Sequence, residues 1–550
     1  MRERNDQIPH WVRDELTLRR IMGQWIARSI EHQSHVPYHG GKQGHDEGTF
    51  TTSWFGYYLL TGEPSVLEFL RDFRDQYLTY SKRHQHHGYD EWGEVHHQTE
   101  HYMIFLARLW HIDKADPRTI GALEDAAHHA GNWVRGIPDW YDWDTHRFRS
   151  WSLGTRLVQS YPPQDYNVPD HFKVIQIALV AYLATGKQRY LDLCCDYADM
   201  WSDLILGADP DRSPSVVFAR QLSRAEAERL YAPAVVRLHY DASRLERVEL
   251  HVAGGSAEVL LDLYHLTHKE SYLAAVQRLL PPIVEANADP DAQIPAMLLA
   301  KYRRATGDTS FDATLMQQLA RAHKTDLSRM VLLVGASHER RPIVGRIGRR
   351  VDQVRWGYQA ADGAIVPELG PSPASLMLGY EVSGDTRLAD RALAKARRRM
   401  ELAVFALRDG REHGCAAHST HAVAAGHGRA TGAGCVTTTL YPFAMGAHRY
   451  ACGDTLAVRY AGADGSPGLP QGVAAQWKPG LGKETHVALW NTLDEGAMVA
   501  LSPGDEQRRI RTALVDGTPV PGATARRAVV SVPSGRQADR RGNSQATPPS

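Results

Sequence analysis

The sequence predicts a mainly α-helical protein, an (α/α)6 toroid of helical hairpins followed by a small C-terminal β-sandwich-like domain. Three observations predict it. A helix–break–helix pattern occurs six times between residues 57 and 389. Apolar residues recur at intervals of three and four around the breaks, as on one face of an α-helix. After about residue 450 the pattern changes to short apolar/polar alternations, which are typical of strands.

Each break joins the end of one predicted helix to the start of the next. The six segments are YYLLTGEPSVL (57–67), ARLWHIDKADPRTI (107–120), AYLATGKQRYL (181–191), LYHLTHKESYL (263–273), KYRRATGDTSF (301–311) and GYEVSGDTRLA (379–389). Glycine after a helix end suits the left-handed C′ position, and a following Asp, Glu or Ser can cap the next helix. Each break therefore predicts an αα-hairpin with a short loop.

The helix after a break tends to carry more charge than the one before it, which predicts an apolar inner helix and a charged outer helix. Six such hairpins predict a closed toroid over about residues 45–450. An open superhelix of helix pairs is the alternative, because it also produces internal repeats. The irregular spacing of the breaks favours the toroid, since solenoid repeats keep a fixed period.

The domain prediction covers the whole chain. Residues 1–44 are a helical segment, 45–450 the catalytic toroid, 451–534 the β-domain, and 535–550 a disordered tail rich in Ser, Gln, Pro and Arg. Two insertions at hairpin tips are expected. Residues 207–255 mix polar stretches with short alternating runs, and residues 327–367 include an arginine-rich stretch.

Composition excludes several classes of protein. The 63 Lys+Arg residues balance 63 Asp+Glu residues, and a zero net charge argues against a nucleic-acid partner. No apolar run approaches the roughly 18 residues of a membrane helix, and the N-terminus lacks a signal-peptide pattern. The five cysteines are too few and too uneven for a disulfide framework. We therefore expect a cytoplasmic protein without a membrane partner, and the oligomeric state stays open.

Histidine is unusually frequent, with 28 residues against 11 Phe, and it concentrates at 84–101 and 413–427. Both stretches are expected where a loop meets the start of an inner helix, and such loops often carry binding residues. The string His97-x-x-Glu100-His101 also matches a zinc-peptidase motif. A polar face lining a sugar cleft is preferred over that zinc site, and a structural hydrogen-bonded cluster is the third alternative.

Sugar recognition needs flat aromatic faces and carboxylates, and the chain has 13 Trp and 23 Tyr, many of them beside acids. Glycosidic hydrolysis needs an acid for the leaving oxygen and a second group to attack or to activate water. The carboxylates considered are Asp46, Glu47, Glu91, Glu94, Glu100, Asp165, Asp170 and Glu368. The preferred catalytic candidates are Glu94, Glu100 and Glu368, with Asp165 as a further one. Trp92, His97, His101, His418 and His421 are expected to line the cleft.

The order of motifs resembles the six-hairpin glycosidases, in particular the β-L-arabinofuranosidases of glycoside hydrolase family 127. Residues 44–64 resemble the first inner helix of that family, and DPDAQIPAMLLAKYRRATGD (289–308) resembles its Gln-Ile-Pro helix. Residues 367–396 resemble the helix that opens with Glu-x-Cys, and 432–462 the cysteine-containing segment before the β-domain. The resemblance implies a toroid with glycosidase activity.

The resemblance also implies a zinc site of one Glu and three Cys, one of which is the nucleophile. Glu368 matches the Glu and Cys435 one Cys, whereas Gly370 and Gly434 stand at two cysteine positions. A Glu–Cys pair does not make a closed zinc site. No metal or cofactor is therefore expected, unless His413, Cys415, His418 and His421 supply substitute ligands.

The sequence thus predicts an intracellular glycoside hydrolase that acts on oligosaccharides by carboxylate acid/base chemistry. Two alternatives remain. A uronate-oligosaccharide lyase would use Tyr89 or Tyr102 with His97 or His101 as base and acid, and Arg346, Arg349 or Arg350 for the uronate. A toroid that binds glycans without catalysis is the other alternative.

Overall fold

The computed structural model describes residues 8–33, 52–209, 213–286, 293–321, 330–334, 341–342, 355–359, 365–367, 371, 373–394, 397, 447–456, 458–479, 485–503, 514–515, 518–519, 524 and 526–533. The structure is 61% helix and 13% strand, and the strands form small antiparallel sheets. The prediction of a mainly α-helical protein is therefore confirmed. Within these ranges no helix combines the length and the apolar character that a membrane crossing requires.

The helices follow the predicted order. They are α1 (His10–Gln33), α2 (Thr52–Thr61), α3 (Pro64–His84), α4 (Val95–Glu100), α5 (Ala107–Ile112), α6 (Pro117–Ala130), α7 (Phe172–Thr185), α8 (Gln188–Gly207), α9 (Arg224–Leu230), α10 (Pro233–Tyr240), α11 (Arg244–Gly254), α12 (Ser256–Thr267), α13 (Glu270–Ala286), α14 (Gln293–Thr306), α15 (Asp312–Arg321) and α16 (Pro373–Ser383). A π-helical segment (His101–Leu106) joins α4 to α5, and a further helix covers 386–394. Each predicted break lies between two of these helices.

Five of the breaks share one local structure, which explains the repeated Thr-Gly pattern. The helix ends in a hydroxyl residue that donates to the carbonyl four residues earlier at 2.7–2.9 Å. The same hydroxyl accepts from the amide two residues later at 3.1–3.4 Å. The residue between has a left-handed φ of +57° to +75°. The five pairs are Thr61–Gly62, Thr185–Gly186, Thr267–His268, Thr306–Gly307 and Ser383–Gly384. Glycine fits this position because it lacks a Cβ.

The first helices of the hairpins are more buried than the second. Every residue of 172–181 in α7 and of 256–263 in α12 is buried. In α8 burial is confined to one stripe, which includes Tyr190, Leu193, Tyr197 and Trp201. First helices of successive hairpins contact one another from α2 to α16. The described hairpins thus have one apolar helix inside and one amphipathic helix outside.

The second predicted insertion contains short strands, and the first is mostly helical. Helices α9 and α11 each begin with a capping box, in which Ser223 pairs with Glu226 and Ser243 with Glu246. These serines and glutamates satisfy backbone amides at the helix starts, so the segment folds as helices rather than as short alternating runs. The paired strands within 330–367 are β7 (Met330–Val334), β8 (Arg341–Pro342), β9 (Arg355–Gln359) and β10 (Ile365–Pro367).

Two-residue strands hold the loops before α4, α7 and α9. They are β1 (Gly93–Glu94), β2 (Tyr141–Asp142), β3 (Arg147–Phe148), β4 (Ser152–Leu153), β5 (Tyr166–Asn167) and β6 (Val217–Phe218). Antiparallel pairs form between β1 and β4, between β2 and β3, and between β5 and β6.

Antiparallel strands fill the C-terminal part, as the alternation predicts. They are β11 (Ala447–Tyr450), β12 (Gly453–Leu456), β13 (Val458–Gly462), β14 (Val473–Pro479), β15 (Thr485–Asn491), β16 (Ala497–Pro503), β17 (Leu514–Val515), β18 (Thr518–Pro519) and β19 (Ala528–Val532). Strands β13, β16 and β19 form one antiparallel sheet in that order, with β16 in the middle, and β14 pairs with β15. Arg19 of α1 donates to the carbonyl of Val473 at 3.0 Å, so the N-terminal helix is fixed to this part of the chain. The predicted tail at 535–550 lies outside the described residues.

Candidate functional site

The side chains best suited to chemistry lie where α4 and α7 begin. The C-terminal part of the chain contacts the other ends of the first helices: in the loop before β14, the amide of Leu469 donates to the carbonyl of Leu60 in α2 at 2.7 Å. At the end of α5, His111 Nε2 lies 3.0 Å from the carbonyl oxygen of Ala451. The start of α4 precedes His111 by 16 residues of helical structure, of which the α-helical residues alone span about 15 Å. The candidate site is therefore at the end remote from the β-strands.

A short sheet fixes the position of Glu94. Strand β1 pairs with β4, so that Glu94 lies opposite Ser152 and Gly93 opposite Leu153. The buried side chain of Gln98 reinforces this pair, because it donates to the carbonyl of Leu153 at 3.0 Å and accepts from the amide of Asp90 at 3.0 Å. Glu94 is thus held on a braced backbone immediately before α4.

Glu94 lies in an environment that favours its protonated form. Its side chain is 37% exposed, and His97 Nδ1 lies 3.9 Å from its Oε2. Burial raises the pKa of Glu94, and the negative charge of Asp170 raises it further. A carboxylic acid whose pKa is raised in this way can donate a proton at a pH where an ordinary Glu is ionised.

Asp170 is paired with a buried cation. It lies in the single 3-10 turn (Pro169–His171) before α7, and its Oδ1 is 3.2 Å from Nζ of Lys173. The Lys173 side chain is only 1% exposed, whereas that of Asp170 is 27% exposed. A buried ammonium ion is costly unless an anion accompanies it, so this geometry favours an ionised Asp170. The two carboxylates therefore have different surroundings.

Two aromatic rings border the carboxylates. Tyr166 is buried in β5, and its ring is nearly parallel to that of the half-buried Trp151, with centroids 6.0 Å apart. Burial, and secondarily the charge of Glu94, raise the pKa of Tyr166. Tyr166 thus keeps its hydroxyl proton and can act as a hydrogen-bond donor beside Glu94.

The histidines predicted to line the cleft follow Glu94 along the helical segment. His97 is exposed on α4. His101 is half-buried at the start of the π-helical segment, and its ring stacks on Tyr77 at 4.9 Å. π-Helical turns often occur at functional sites because they re-aim side chains. His97 is therefore close to Glu94, and His101 lies one turn further along.

The other residues predicted to form the site lie in different surroundings, and some lie outside the described part of the structure. Trp92 is exposed, two residues before Glu94. Asp165 is 4% exposed and accepts a 2.7 Å hydrogen bond from the hydroxyl of Tyr231, so its carboxylate serves an internal contact. Glu100 is the last residue of α4, and its side chain lies outside the described part of the structure. Glu368, His418 and His421 also lie outside the described residues, so these predictions stay untested.

Sequence reasoning counted Asp170 among the carboxylates without selecting it, and it missed Lys173. A local signal was present, because Asp170 follows a proline at a helix start and precedes a lysine by three residues. The signal that would have distinguished this pair from a surface pair is the burial of Lys173, which depends on the tertiary structure. The Glu94–Asp170 proximity likewise arises from packing of two separate hairpins.

In the part of the chain that the structure describes, no three His, Cys, Asp or Glu side chains lie close enough together to hold a metal ion. The residues of the implied zinc set, Glu368 and Cys435, and the substitute ligands at 413–421 fall outside that part. Of the His97–Glu100–His101 string, the Glu100 side chain likewise lies outside the described part of the structure.

A groove of about 470 Å³ lies elsewhere, between α8, α11 and α13. Its lining is Leu206, Arg244, Ala274, Gln277, Arg278, Pro281 and Pro282. Both arginines already have partners, since Arg244 pairs with Glu285 at 3.0 Å and Arg278 donates to the carbonyl of Ala208 at 3.2 Å. None of these described lining residues is a carboxylate, so we place the candidate site at Glu94 and Asp170 instead.

No protein-family model matches the chain, and no curated protein has significant similarity to it. The resemblance to glycoside hydrolase family 127 therefore stays a prediction from the sequence, and the functional argument depends on the site itself.

Proposed function

We propose that the chain is an intracellular glycoside hydrolase, with Glu94 as general acid and Asp170 as the ionised partner. Glycosidic hydrolysis needs one protonated and one ionised carboxyl group across the scissile bond. The observation that carries the proposal is the contrast between a Glu94 with a raised pKa and an Asp170 paired with buried Lys173. Such a contrast between two carboxylates is a recurring way of assigning acid and base roles.

In this mechanism Glu94 donates its proton to the oxygen of the leaving sugar. Asp170 then either attacks the anomeric carbon or takes a proton from the attacking water. Lys173 is a positioning residue, because it contacts Asp170 and keeps it ionised without reaching solvent. Tyr166 and His97 lie beside Glu94 and can hydrogen-bond to sugar hydroxyl groups.

A closed arrangement of the six hairpins belongs to the same proposal. Its support is the series of contacts between first helices from α2 to α16. Helix α1 contacts both α2 and β14, and α16 also contacts β14, so these two elements bridge the first and last hairpins. A closed ring would place the starts of α4, α7, α12, α14 and α16 around one cleft.

Two further observations bear on the alternatives. Tyr89 and Tyr102 are fully buried, and burial raises the pKa of each well above its usual value, which disfavours either one as the base of a lyase. Cys194 and Cys195 are free thiols, which is compatible with the proposed intracellular location.

Activity measurements test the proposal. Wild-type protein and the Glu94→Gln and Asp170→Asn variants are assayed for reducing-sugar release from neutral oligosaccharides and aryl glycosides. We expect turnover by the wild type and a loss of about 10²–10⁴-fold in each variant. Glu91→Gln is the matched control, because Glu91 is exposed and pairs with Arg156 at the surface at 3.2 Å. Full activity of Glu94→Gln would remove the proposed acid.

A further inference from the structure

Exposed apolar side chains occur beside the carboxylates, on two loops that are bound to each other. Trp92 is 48% exposed and Leu157 46% exposed. Tyr161, at 60%, lies four residues after Leu157 on the same loop. We call these three residues the apolar shelf. Large apolar side chains at the surface of a protein mark binding sites when they are grouped.

The shelf has a rigid base. The carbonyl of Glu91 accepts from the amides of Arg156 and Leu157 at 3.1 and 3.2 Å, and the carbonyl of Asp90 accepts from the amide of Thr155 at 3.1 Å. The loops approach so closely that a Cβ on Gly154 would lie 2.6 Å from Cα of Trp92. Exposed side chains on such a base lose little backbone freedom when a ligand binds.

The shelf is continuous with the candidate site. Trp92 precedes Glu94 by two residues, and β1, which carries Glu94, pairs with β4 at the root of the shelf loop. The half-buried Trp151, next to β4, stacks on Tyr166, whose pKa the charge of Glu94 helps to raise. A chain bound with one sugar at Glu94 could therefore extend across Trp92 towards Leu157 and Tyr161.

The charges around the shelf select the kind of chain. The described side chains here include four carboxylates, Asp90, Glu91, Glu94 and Asp170, and two cations, Arg156 and Lys173. Each cation already faces a carboxylate, since Arg156 pairs with Glu91 and Lys173 with Asp170. Neither of these two cations is left to pair with the carboxylate of an acidic sugar, whereas the flat apolar face of a neutral sugar can stack on an indole ring.

From this combination we propose that the apolar shelf binds a neutral oligosaccharide, so that the ligand of this site is a chain of neutral sugars rather than a single sugar or a uronate chain. The inference depends on the proposed carbohydrate cleft, which it deepens by naming the substrate class. Trp92 supplies the main stacking surface, and Leu157 and Tyr161 extend it by further sugar units.

Binding measurements on the Glu94→Gln protein test this inference without turnover. The probes are cello-, xylo-, manno- and arabino-oligosaccharides of one to five units, with oligogalacturonides of the same lengths, titrated by calorimetry. We expect at least one neutral series to bind more tightly as its length increases. Adding Trp92→Ala should weaken the longer members about tenfold. Trp143→Ala is the matched control, because Trp143 is similarly exposed but packs against Tyr141 and Trp133.

Several outcomes would contradict the proposed binding role of the apolar shelf. They are the absence of binding by every neutral series, tighter binding of oligogalacturonides, and an affinity that Trp92→Ala and Leu157→Ala both leave unchanged. Since both positions are exposed, thermal unfolding of each variant should match that of the parent. If Trp92→Ala weakens binding but the wild type shows no turnover, the proposed hydrolase activity is wrong and the proposed role of the apolar shelf stands. If turnover depends on Glu94 but Trp92→Ala leaves binding unchanged, the role of the shelf is wrong and the hydrolase proposal stands.

Discussion

The backbone amide of Ala451 donates a hydrogen bond to Oδ2 of Asp262 at a distance of 3.1 Å. Ala451 occupies the tight turn between β11 and β12, and Asp262 is buried in α12. The other oxygen of Asp262 lies 2.5 Å from Nζ of Lys301 on α14. The carbonyl of Ala451 also accepts from His111 on α5. The tip of one β-hairpin is thus inserted among three first helices, which fixes the C-terminal strands to the helical part.

Lys301→Met should destabilise the fold, and more so as the pH rises. Burial raises the pKa of Asp262, and the positive charge of Lys301 offsets part of this rise. Without Lys301 the pKa rises further above that of the unfolded chain, so the folded state holds a proton that the unfolded state releases. We expect a loss of about 3 kcal/mol in the free energy of unfolding, larger at pH 8 than at pH 5, by urea denaturation.

The control for this change is Lys269→Met, at an exposed ion pair with Asp199. Such a pair should contribute at most about 1 kcal/mol with little pH dependence. A loss at Lys301 no larger than that of the control would show that the buried pair does not hold the hairpin.

His129→Phe should make the protein more resistant to acid. Burial, and secondarily the neighbouring charges of His87 and His86, lower the pKa of His129 to about 3. Its ring lies 4.8–4.9 Å from those of Tyr89 and Trp140, and neither ring nitrogen has a hydrogen-bond partner among the described residues. Phenylalanine therefore fits this aromatic environment without stranding a polar group.

The sign follows from proton linkage. Because the folded pKa is lower than the unfolded value of about 6.5, the unfolded state binds the extra proton and stability falls as the pH decreases from about 6.5 towards 3. The His129→Phe variant should lack this part of the acid-induced decrease in the free energy of unfolding, which is on the order of a few kcal/mol. Thermal melts between pH 7 and 4 measure it, with His84→Phe, an exposed position, as control. Parallel acid curves for wild type and His129→Phe would contradict the prediction.

The repeated helix end predicts opposite effects for two substitutions. His268 adopts the left-handed φ of +57° that glycine adopts at the four equivalent positions. His268→Gly should therefore stabilise the protein by up to about 1 kcal/mol, since a side chain strains this conformation. Gly186→Ala should destabilise it by about 1 kcal/mol, because a Cβ there meets no atom within 4 Å and the backbone strain acts alone. Chemical denaturation measures the change in the free energy of unfolding for each variant. Changes of the same sign in both would contradict the explanation by backbone strain.

Local chemistry explains how much of the fold the sequence could predict. The hairpin joints were predictable because a hydroxyl residue and a left-handed residue define each one within four positions of the chain. The helices of 224–254 were not predicted, although Ser223–Glu226 and Ser243–Glu246 are capping boxes, because the short alternating runs in this segment are typical of strands. Ring closure requires contacts between distant hairpins, which no local pattern encodes.

The site was predictable only in part, for a similar reason. Glu94, Trp92 and His97 could be selected because they share one short segment. The pairing of Glu94 with Asp170, and the burial of Lys173, depend on how α4 packs on α7. Asp165 carries the same carboxyl group as Asp170, five residues away. Its burial and its hydrogen bond to Tyr231 distinguish it from Asp170, which is more exposed and pairs with Lys173.

Asp170→Asn and Lys173→Met should have unequal effects on stability. Asparagine at 170 leaves the 1% exposed Lys173 ammonium without its anion, which should cost about 3 kcal/mol or more. Methionine at 173 leaves Asp170 partly hydrated, because its side chain is 27% exposed, and should cost less. The double variant should be more stable than Asp170→Asn alone. Urea denaturation of the three variants measures this cycle, and additive losses would argue against coupling.

The pH dependence of turnover tests the role of Glu94 most directly. If Glu94 is the general acid, activity requires its protonated form, so kcat/KM should fall as the pH rises through the raised pKa of Glu94. Burial is the main cause of that raised pKa, and the charge of Asp170 is the second. Lys173→Met leaves the Asp170 charge uncompensated, so it should raise the pKa of Glu94 further. The alkaline limb of the pH profile, where kcat/KM falls, should then move to higher pH. Glu91→Gln should leave the limb in place, because Glu91 is exposed, is paired with Arg156, and is not one of the charges that raise the pKa of Glu94. An alkaline limb that Lys173→Met does not move, or that persists in residual activity of Glu94→Gln, would assign the essential proton to another group.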